Sequence, residues 1–239
     1  MIVQYYADSL GLPRPGIVEL NQRYIYLYEA WLRENRAEEL FIINRARTGY
    51  TIDKLFEVYK EDVSYIKEEK DVLIIHEGVC DCAPRPVSKK VKNIISRLPS
   101  FLKIRIISYL HKNRASLLKK GSVHYLVEKK EFKQTLEQWL ADAVKKFKRI
   151  YLFNIAPTNN EIENHSPGFG KSIEDYNSIM KEVIEAIDDR RITLIDVYSM
   201  IIAKQNIDGY ITKEDGHHIT VKAHQLYAAK LIELESGVK

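Results

Sequence analysis

The sequence predicts an α/β fold, in which a mostly parallel five-stranded sheet is flanked by helices and carries one basic helical insert. Five short apolar segments alternate with amphipathic helical patterns, which is the arrangement that parallel sheets produce. The third segment, residues 71–76, is a continuous apolar run, typical of a strand covered on both faces. No internal repeat or low-complexity linker divides the chain. Residues 1–239 are therefore predicted to form one domain, with the insert at about 86–149.

The predicted strands and helices follow from local patterns. The strands are residues 1–6, 40–44, 71–76, 150–155 and 192–197. Apolar residues at helical spacing predict helices between them, and Ser172 is predicted to cap the helix that leads to the fifth strand. A last helix is predicted from about 221 to 234.

The net charge of +4 hides an uneven distribution. Residues 86–150 hold 17 Lys and Arg but only 4 Asp and Glu, a balance of +13, whereas the remainder has a balance of −9. The basic segment could be a lid over a site, a surface for anionic lipid, a helical pair on the sheet, or ordinary core packing with solvated lysines. It contains no recognisable nucleic-acid motif, so no nucleic-acid partner is expected.

The N-terminal sequence and the two cysteines indicate in which cellular compartment the protein is expected. No apolar run of 18 residues occurs, and Met1 leads directly into the first strand, so neither a spanning helix nor a secretory signal is predicted. Cys80 and Cys82 are too close in sequence for ordinary disulfide geometry, and no further ligands for a zinc site are obvious. Free thiols in a reducing cytoplasm, with no metal or cofactor, are expected.

Loops with serine, glycine and acidic residues follow several of the predicted strands. Ser9 follows the first, Gly49 the second and the loop 78–81 the third. The carboxyl ends of parallel strands meet at one edge of a sheet, where ligands bind in open α/β folds. The sequence therefore predicts a site at this edge.

A serine at such an edge needs a base to become a nucleophile, and the base is commonly oriented by a carboxylate. Asp215 and His218, before the last helix, are three residues apart. At that spacing the carboxylate can turn back to the imidazole and leave its other nitrogen for Ser9. His217 is the competing candidate for the base.

These segments, in this order, resemble the four sequence blocks of the SGNH (GDSL-type) hydrolases, and the resemblance spans nearly the whole chain outside the insert. They are Ala7-Asp8-Ser9-Leu10, with alanine where the family has glycine, then Gly49, Gly78-Val79-Cys80-Asp81 and Asp215-Gly216-His217-His218.

The resemblance implies a flavodoxin-like three-layer α/β/α sandwich. It also implies that Ser9 is the nucleophile, His218 the general base and then acid, and Asp215 its orienting partner. The oxyanion hole would consist of the backbone N–H groups of Ser9 and Gly49 and a side-chain donor from the third block.

Position 80 departs from the family pattern, because Cys80 stands where the family has asparagine. A thiol is a weaker hydrogen-bond donor than an amide, and one lost oxyanion donor costs roughly a hundred- to a thousandfold in turnover. Arg85 and Arg45 are candidates for a replacement by loop position only. The loop from Gly78 to Arg85 resembles that of a subset found among bacterial surface-polysaccharide functions.

Two classes of function follow. The first is a serine esterase acting on an acylated sugar, glycan or similar small ester, or an O-acetyltransferase of surface-polysaccharide biosynthesis. Its basis is the set Ser9, Asp215 and His218. The second is a catalytically weak accessory protein whose basic insert binds an anionic glycan or membrane surface. Its basis is Cys80 and the excess positive charge of the insert.

Overall fold

The structure, a computed structural model, describes residues 1–36, 39–66, 70–121 and 123–237. Its centre is a five-stranded sheet in the order β2-β1-β3-β4-β5, and every neighbouring pair is parallel. The strands are β1 (Ile2–Ala7), β2 (Phe41–Asn44), β3 (Lys70–His76), β4 (Phe147–Phe153) and β5 (Ile192–Ile195). This order is that of flavodoxin-like folds, so the predicted fold class is confirmed.

Eleven α-helices occur in the described part of the chain, and three short 3₁₀ turns accompany them. The helices are α1 (Tyr24–Asn35), α2 (Ile52–Tyr65), α3 (Val79–Cys82), α4 (Lys89–Ser96), α5 (Ser100–Lys112), α6 (Arg114–Lys120), α7 (Lys129–Ala143), α8 (Asn160–His165), α9 (Phe169–Ile187), α10 (Val197–Ile202) and α11 (Val221–Ser236).

Helices cover both faces of the sheet. On one face, α2, α7 and α9 enclose an apolar core in which Trp139 of α7 contacts Tyr6, Phe56 and Tyr59. On the other face, α1, α10 and α11 enclose a second core, in which Tyr24 packs edge-on against Tyr227. Covering on both faces explains why the central strand β3 is buried at six of its seven positions and holds the apolar run 72–75.

The strand register brings the ends of the central strands into line. Ala7 of β1 is opposite His76 of β3, and His76 is opposite Phe153 of β4. The loops that follow these three strands therefore start side by side. This alignment places the Ser9 turn next to the third-strand loop.

The basic segment 86–149 divides into two parts. Its last part, from Lys129, consists of α7, which packs against α2 and α9, and the beginning of β4, so these residues belong to the sandwich. Five buried apolar side chains of α7 hold it there: Phe132, Leu136, Trp139, Leu140 and Ala143. The first part, residues 86–127 with α4, α5 and α6, is called the insert below, and its last residue, Val127, is buried in the sandwich core.

Two smaller expectations are also resolved. Ser172 is not a helix cap, because α9 already begins at Phe169 after Gly168, and the Ser172 hydroxyl donates instead to the Cys82 carbonyl at 2.7 Å. A short helix, α3, directly follows Gly78, where an irregular loop was expected. Within the described residues, no helix is both long enough and apolar enough to span a membrane.

Candidate active site

Ser9 lies at the start of a tight turn that β1 leads into. The buried Asp8 carboxylate accepts the Leu10 N–H at 2.8 Å and so caps the 3₁₀ turn Ser9–Gly11. Glycine is needed at position 11, since a Cβ there would lie 2.0 Å from the Tyr5 hydroxyl. The turn holds Ser9 half-buried at the carboxyl edge of the sheet.

The loop before α11 is closed by its own backbone. Ile211 and Ile219 form an antiparallel bridge, and the Thr212 N–H donates to the His218 carbonyl at 2.8 Å. Gly216, at φ +71°, lets the chain reverse direction between them. This closed loop is the element that presents Asp215 and His218 together.

The structure brings Ser9, His218 and Asp215 into one hydrogen-bonded line. The Ser9 Oγ lies 3.1 Å from His218 Nε2, and His218 Nδ1 lies 2.8 Å from Asp215 Oδ2. Ser9 and His218 are 209 residues apart, so only the fold can join them. The order hydroxyl, imidazole, carboxylate is the one needed to activate a serine.

The Asp215 carboxylate has several donors besides the His218 ring. Its Oδ1 accepts the Thr212 hydroxyl at 2.7 Å and the backbone N–H of His218 at 3.1 Å. Burial alone would raise the pKa of Asp215, but the hydrogen bonds from His218 and Thr212 outweigh burial and hold that pKa well below its usual range. Asp215 is therefore ionised and can stabilise a positive charge on His218.

Arg14 also contacts this carboxylate, and the sequence analysis missed it. Its Nη1 lies 2.6 Å from Asp215 Oδ2, as an ion pair without hydrogen-bond alignment. The Arg14 side chain is 30% exposed, so the pair is partly screened by solvent. No local pattern in the sequence marks Arg14, because its proximity to Asp215 arises only from the fold.

His217, the competing base, points elsewhere. Its Nδ1 lies 2.9 Å from the backbone carbonyl of Asp215, and its ring packs near Phe169 and the His218 ring. Burial, followed by the charge of His218, lowers the pKa of His217. His218 rather than His217 therefore faces the Ser9 hydroxyl.

Gly49 and Cys80 meet beside the Ser9 turn. Gly49 is exposed at φ +69°, and its backbone N–H points to the Cys80 thiol. Burial nevertheless raises the pKa of Cys80 to about 12, so the group is a neutral thiol rather than a thiolate. It is thus a weak donor and a poor nucleophile.

The backbone amide of Ser9 has no hydrogen-bond partner in the parts of the chain that the structure describes. Gly78, before Cys80, must be glycine: its φ is +120°, and a Cβ would lie 2.8 Å from Ile155. The open Ser9 amide and the fixed turn before Cys80 are features that fit an oxyanion hole.

The two arginines suggested as substitutes for the missing amide differ. Arg45 makes two hydrogen bonds to Asp62, at 2.7 and 2.8 Å, and is therefore already occupied in the fold. Arg85 is close enough to Cys80 that its charge acts on the thiol, and its buried Nε has no hydrogen-bond partner. Of the two, Arg85 is the one near the site.

Three buried carboxyl groups lie beneath the turn, and sequence reasoning assigned none of them a role. Burial raises the pKa of Asp8 to about 7 and the pKa of Asp81 to about 6, and it raises that of Glu77 well above its usual range. Asp81 also accepts the Ile52 N–H at 3.0 Å, which fixes the start of α2. Asp81 therefore ties the loop that carries Cys80 to the start of α2.

Metal-ligating atoms are also present at the site. Asp215, His217 and His218 offer ligand atoms that lie within 4.8 Å of one another. Both Nδ1 atoms, however, contact Asp215, and His218 Nε2 faces Ser9. A metal bound to His218 here would have to displace either its contact with Asp215 or its contact with Ser9.

No known protein-family model matches the sequence, and no curated protein sequence matches it significantly. Solved structures do match. A lipase/acylhydrolase from Enterococcus faecalis superposes with a TM-score of 0.67 at 15% identity, covering 99% of this chain and 95% of that one. A lipolytic protein of the G-D-S-L family from Veillonella parvula has a TM-score of 0.62 at 12% identity, over 99% of both chains.

An acetylxylan esterase from Geobacillus stearothermophilus is similar to the same degree, with a TM-score of 0.63 at 14% identity over 100% of this chain and 94% of that one. Coverage is nearly complete in both directions, so the similarity concerns the whole sandwich and not one layer. The chain therefore has the overall fold of these lipase and esterase structures.

Proposed function

We propose that the protein is a serine ester hydrolase that forms an acyl-enzyme on Ser9. The observation that carries the proposal is the continuous line of contacts from the Ser9 hydroxyl through His218 to Asp215, at 3.1 and 2.8 Å. Its support from outside the chain is the whole-length similarity in fold to an acylhydrolase and an acetylxylan esterase.

In the proposed reaction, the Ser9 Oγ attacks the ester carbonyl while His218 Nε2 takes the hydroxyl proton. The alcohol then leaves with that proton, and the acyl group stays on Ser9. A water molecule, deprotonated by His218, releases the carboxylic acid. Asp215 keeps Nε2 directed at Ser9 and stabilises the imidazolium during both steps.

The oxyanion of each tetrahedral intermediate would be held by the backbone N–H groups of Ser9 and Gly49. The third donor position is occupied by the neutral Cys80 thiol. A weak third donor predicts slower turnover than an amide would allow at the same place. This is the main chemical feature that separates the site from the family that the sequence resembles.

The proposed substrate class is an acylated sugar, glycan or similar small ester. Its support is the similarity to an acetylxylan esterase and the half-buried position of Ser9, which a small acyl group can reach from solvent. The same acyl-enzyme could pass its acyl group to a sugar hydroxyl instead of water, so O-acetyl transfer is the alternative reaction. The two free cysteines are consistent with a cytoplasmic location.

The proposal is tested by intact-mass analysis after treatment with a fluorophosphonate. Wild type should gain one adduct, Ser9→Ala none, and His218→Ala should react at least a hundredfold more slowly. Ser64→Ala, which removes an exposed hydroxyl on α2, is the matched control and should label like wild type. A labelled Ser9→Ala variant, or an unlabelled folded wild type, would refute the proposal.

A panel of acetylated monosaccharides and oligosaccharides then separates hydrolysis from transfer. Release of free acetate without an added acceptor identifies a hydrolase. Appearance of the acetyl group on an added sugar acceptor, with little free acetate, identifies a transferase.

A further inference from the structure

Helix α5 in the insert is apolar, yet none of its residues is buried. Seven of its thirteen side chains are apolar: Phe101, Leu102, Ile104, Ile106, Ile107, Tyr109 and Leu110. Phe101 and Ile104 are each 65% exposed. A helix that is apolar on most of its surface is normally buried in a core or in lipid. No other part of the chain that the structure describes buries any residue of α5.

The neighbouring helix α4 shows the same feature on one side. Its helical spacing brings Val91, Ile94 and Ile95 together and places its lysines on the opposite side. Only Ile95 is buried, whereas Ile94 is 63% exposed. The two helices contact each other, and both present large apolar side chains to solvent, which is more than isolated exposed residues on a protein surface.

The charge of the insert is of one sign. Residues 86–127 contain ten Lys and Arg and no Asp or Glu, although the remainder of the protein has more acidic than basic residues. An uninterrupted set of cations next to exposed aliphatic and aromatic side chains is the composition of segments that lie in the interface of anionic membranes.

The same helices form a cleft of about 330 Å³ that combines both properties. Its lining includes the apolar residues Ile95, Ile107 and Leu110 and the amines of Lys92 and Lys103. Such a lining suits a molecule with an apolar chain and an anionic group, which describes an anionic phospholipid.

We infer that the insert docks the protein on an anionic lipid bilayer, with the apolar side chains of α4 and α5 entering the interface and the lysines and arginines facing the headgroups. A soluble anionic glycan would pair with the cations but would leave Ile94, Phe101 and Ile104 in water. The inference concerns a surface outside the proposed active site and does not depend on the proposed function.

Hydrogen bonds at the two ends of α8 connect the insert to the candidate site. Arg114 donates to the Pro84 carbonyl and, at 3.0 Å, to the Ser166 hydroxyl just after α8. At the other end of α8, the Asn159 N–H donates to the carbonyl of Gly216, next to Asp215. These contacts connect the insert, through α8, to the loop that carries Asp215 and His218.

The test is sedimentation with vesicles of phosphatidylcholine alone or with 30% phosphatidylglycerol, at low and high salt. One variant carries Ile94→Ser, Phe101→Ser and Ile104→Ser, all at exposed positions where folding should tolerate them. A second carries Lys92→Glu and Lys103→Glu. Controls of equal chemistry lie outside the insert: Leu20→Ser with Tyr65→Ser, and Lys204→Glu with Lys222→Glu.

We expect wild type to bind the anionic vesicles and salt to weaken the binding. The serine variant and the glutamate variant should each bind roughly tenfold or more weakly, while both controls bind like wild type. Fluorophosphonate labelling or circular dichroism verifies that each variant is folded.

Three results would overturn the inference. The first is no binding of wild type to anionic vesicles at low salt. The second is a glutamate variant that loses binding while the serine variant keeps it, which indicates a soluble polyanion as the partner. The third is a wild-type dimer, seen by sedimentation velocity, that the serine variant abolishes without any vesicle binding, which indicates that a second copy covers the helices.

Discussion

Replacement of Cys80 by asparagine should make the proposed enzyme faster. Cys80 contacts the Gly49 N–H beside the Ser9 turn, which is where a third oxyanion donor would lie. Because burial raises the pKa of the thiol to about 12, roughly one thiol in ten thousand is ionised at pH 8, and the neutral S–H is a weak donor. Cys80→Asn supplies a strong N–H donor at the same backbone position.

The size of the gain follows from what one donor contributes. Removing a well-aligned oxyanion donor lowers turnover about a hundred- to a thousandfold. An introduced amide should restore part of that lost turnover. We therefore expect kcat/KM to rise about ten- to a hundredfold, which corresponds to about 1.4–2.7 kcal/mol of transition-state stabilisation. The longer side chain can extend toward solvent, since Cys80 is only half-buried.

The assay is hydrolysis of an activated acetyl ester by wild type, Cys80→Asn and Cys80→Ala. Cys80→Ala should fall within about threefold of wild type, because a weak donor contributes little. Arg85→Gln in both backgrounds measures whether the Arg85 charge partly replaces the missing amide. In that case Arg85→Gln should slow wild type more than it slows Cys80→Asn.

The reasoning about Cys80 fails if Cys80→Asn is no faster than wild type while its unfolding temperature and fluorophosphonate stoichiometry are unchanged. Position 80 would then lie outside the oxyanion contact, and the weak-donor argument would be withdrawn.

Three further perturbations test the site and its surroundings. Asp215→Asn should lower kcat about ten-thousandfold while Ser9 stays in place, since an amide cannot hold the His218 ring as a carboxylate does, and a loss below tenfold would contradict this role. Arg14→Gln should lower kcat roughly three- to fivefold with KM unchanged and Arg14→Lys should restore it, as expected for a partly exposed ion pair to Asp215; an equal loss in both variants would argue against a positioning role. His76 is fully buried with a pKa lowered to about 3, so its contribution to stability is lost as the pH falls from about 6.5 toward 3, at about 1.4 kcal/mol per pH unit. His76→Gln should therefore lose about 2.3 kcal/mol less than wild type between pH 6.5 and 4.5 in urea unfolding, and parallel stability curves would contradict the assignment.

The sheet was predictable because its signals are local and mutually consistent. Each strand is a short apolar run closed by polar residues, and the alternation with helices specifies parallel pairing before any contact is known. The positions of Ser9 and Gly49 at one edge then follow from the geometry of parallel strands. Asp215 and His218 could be paired because their spacing of three is itself local information.

Other features of the site depend on contacts that sequence spacing does not encode. Arg14 reaches Asp215 across about two hundred residues, and Glu77 becomes a buried carboxyl beside Asp81 only in the folded chain. Ser172 has a capping residue type, yet the φ of +84° at Gly168 starts the helix earlier and leaves the Ser172 hydroxyl to bond Cys82. Tertiary packing thus removes the capping role that the sequence predicted for Ser172, and it creates the contacts of Arg14 and Glu77.

Helices α7 and α4, both rich in lysine, show in the same way what the spacing of residues in a sequence leaves undetermined. Helical spacing predicts an apolar face equally well in α7 and in α4, and lysines flank both. In α7 that face is covered by the protein itself, with Trp139 and Leu140 fully buried, whereas Ile94 in α4 stays exposed. The spacing of apolar residues therefore predicts that a face must be covered, but only the fold shows whether this chain covers it. Where the chain does not, the accompanying charge becomes the evidence for the partner, and the absence of any acidic residue from 86 to 127 is the reason to look for that partner among anionic membranes.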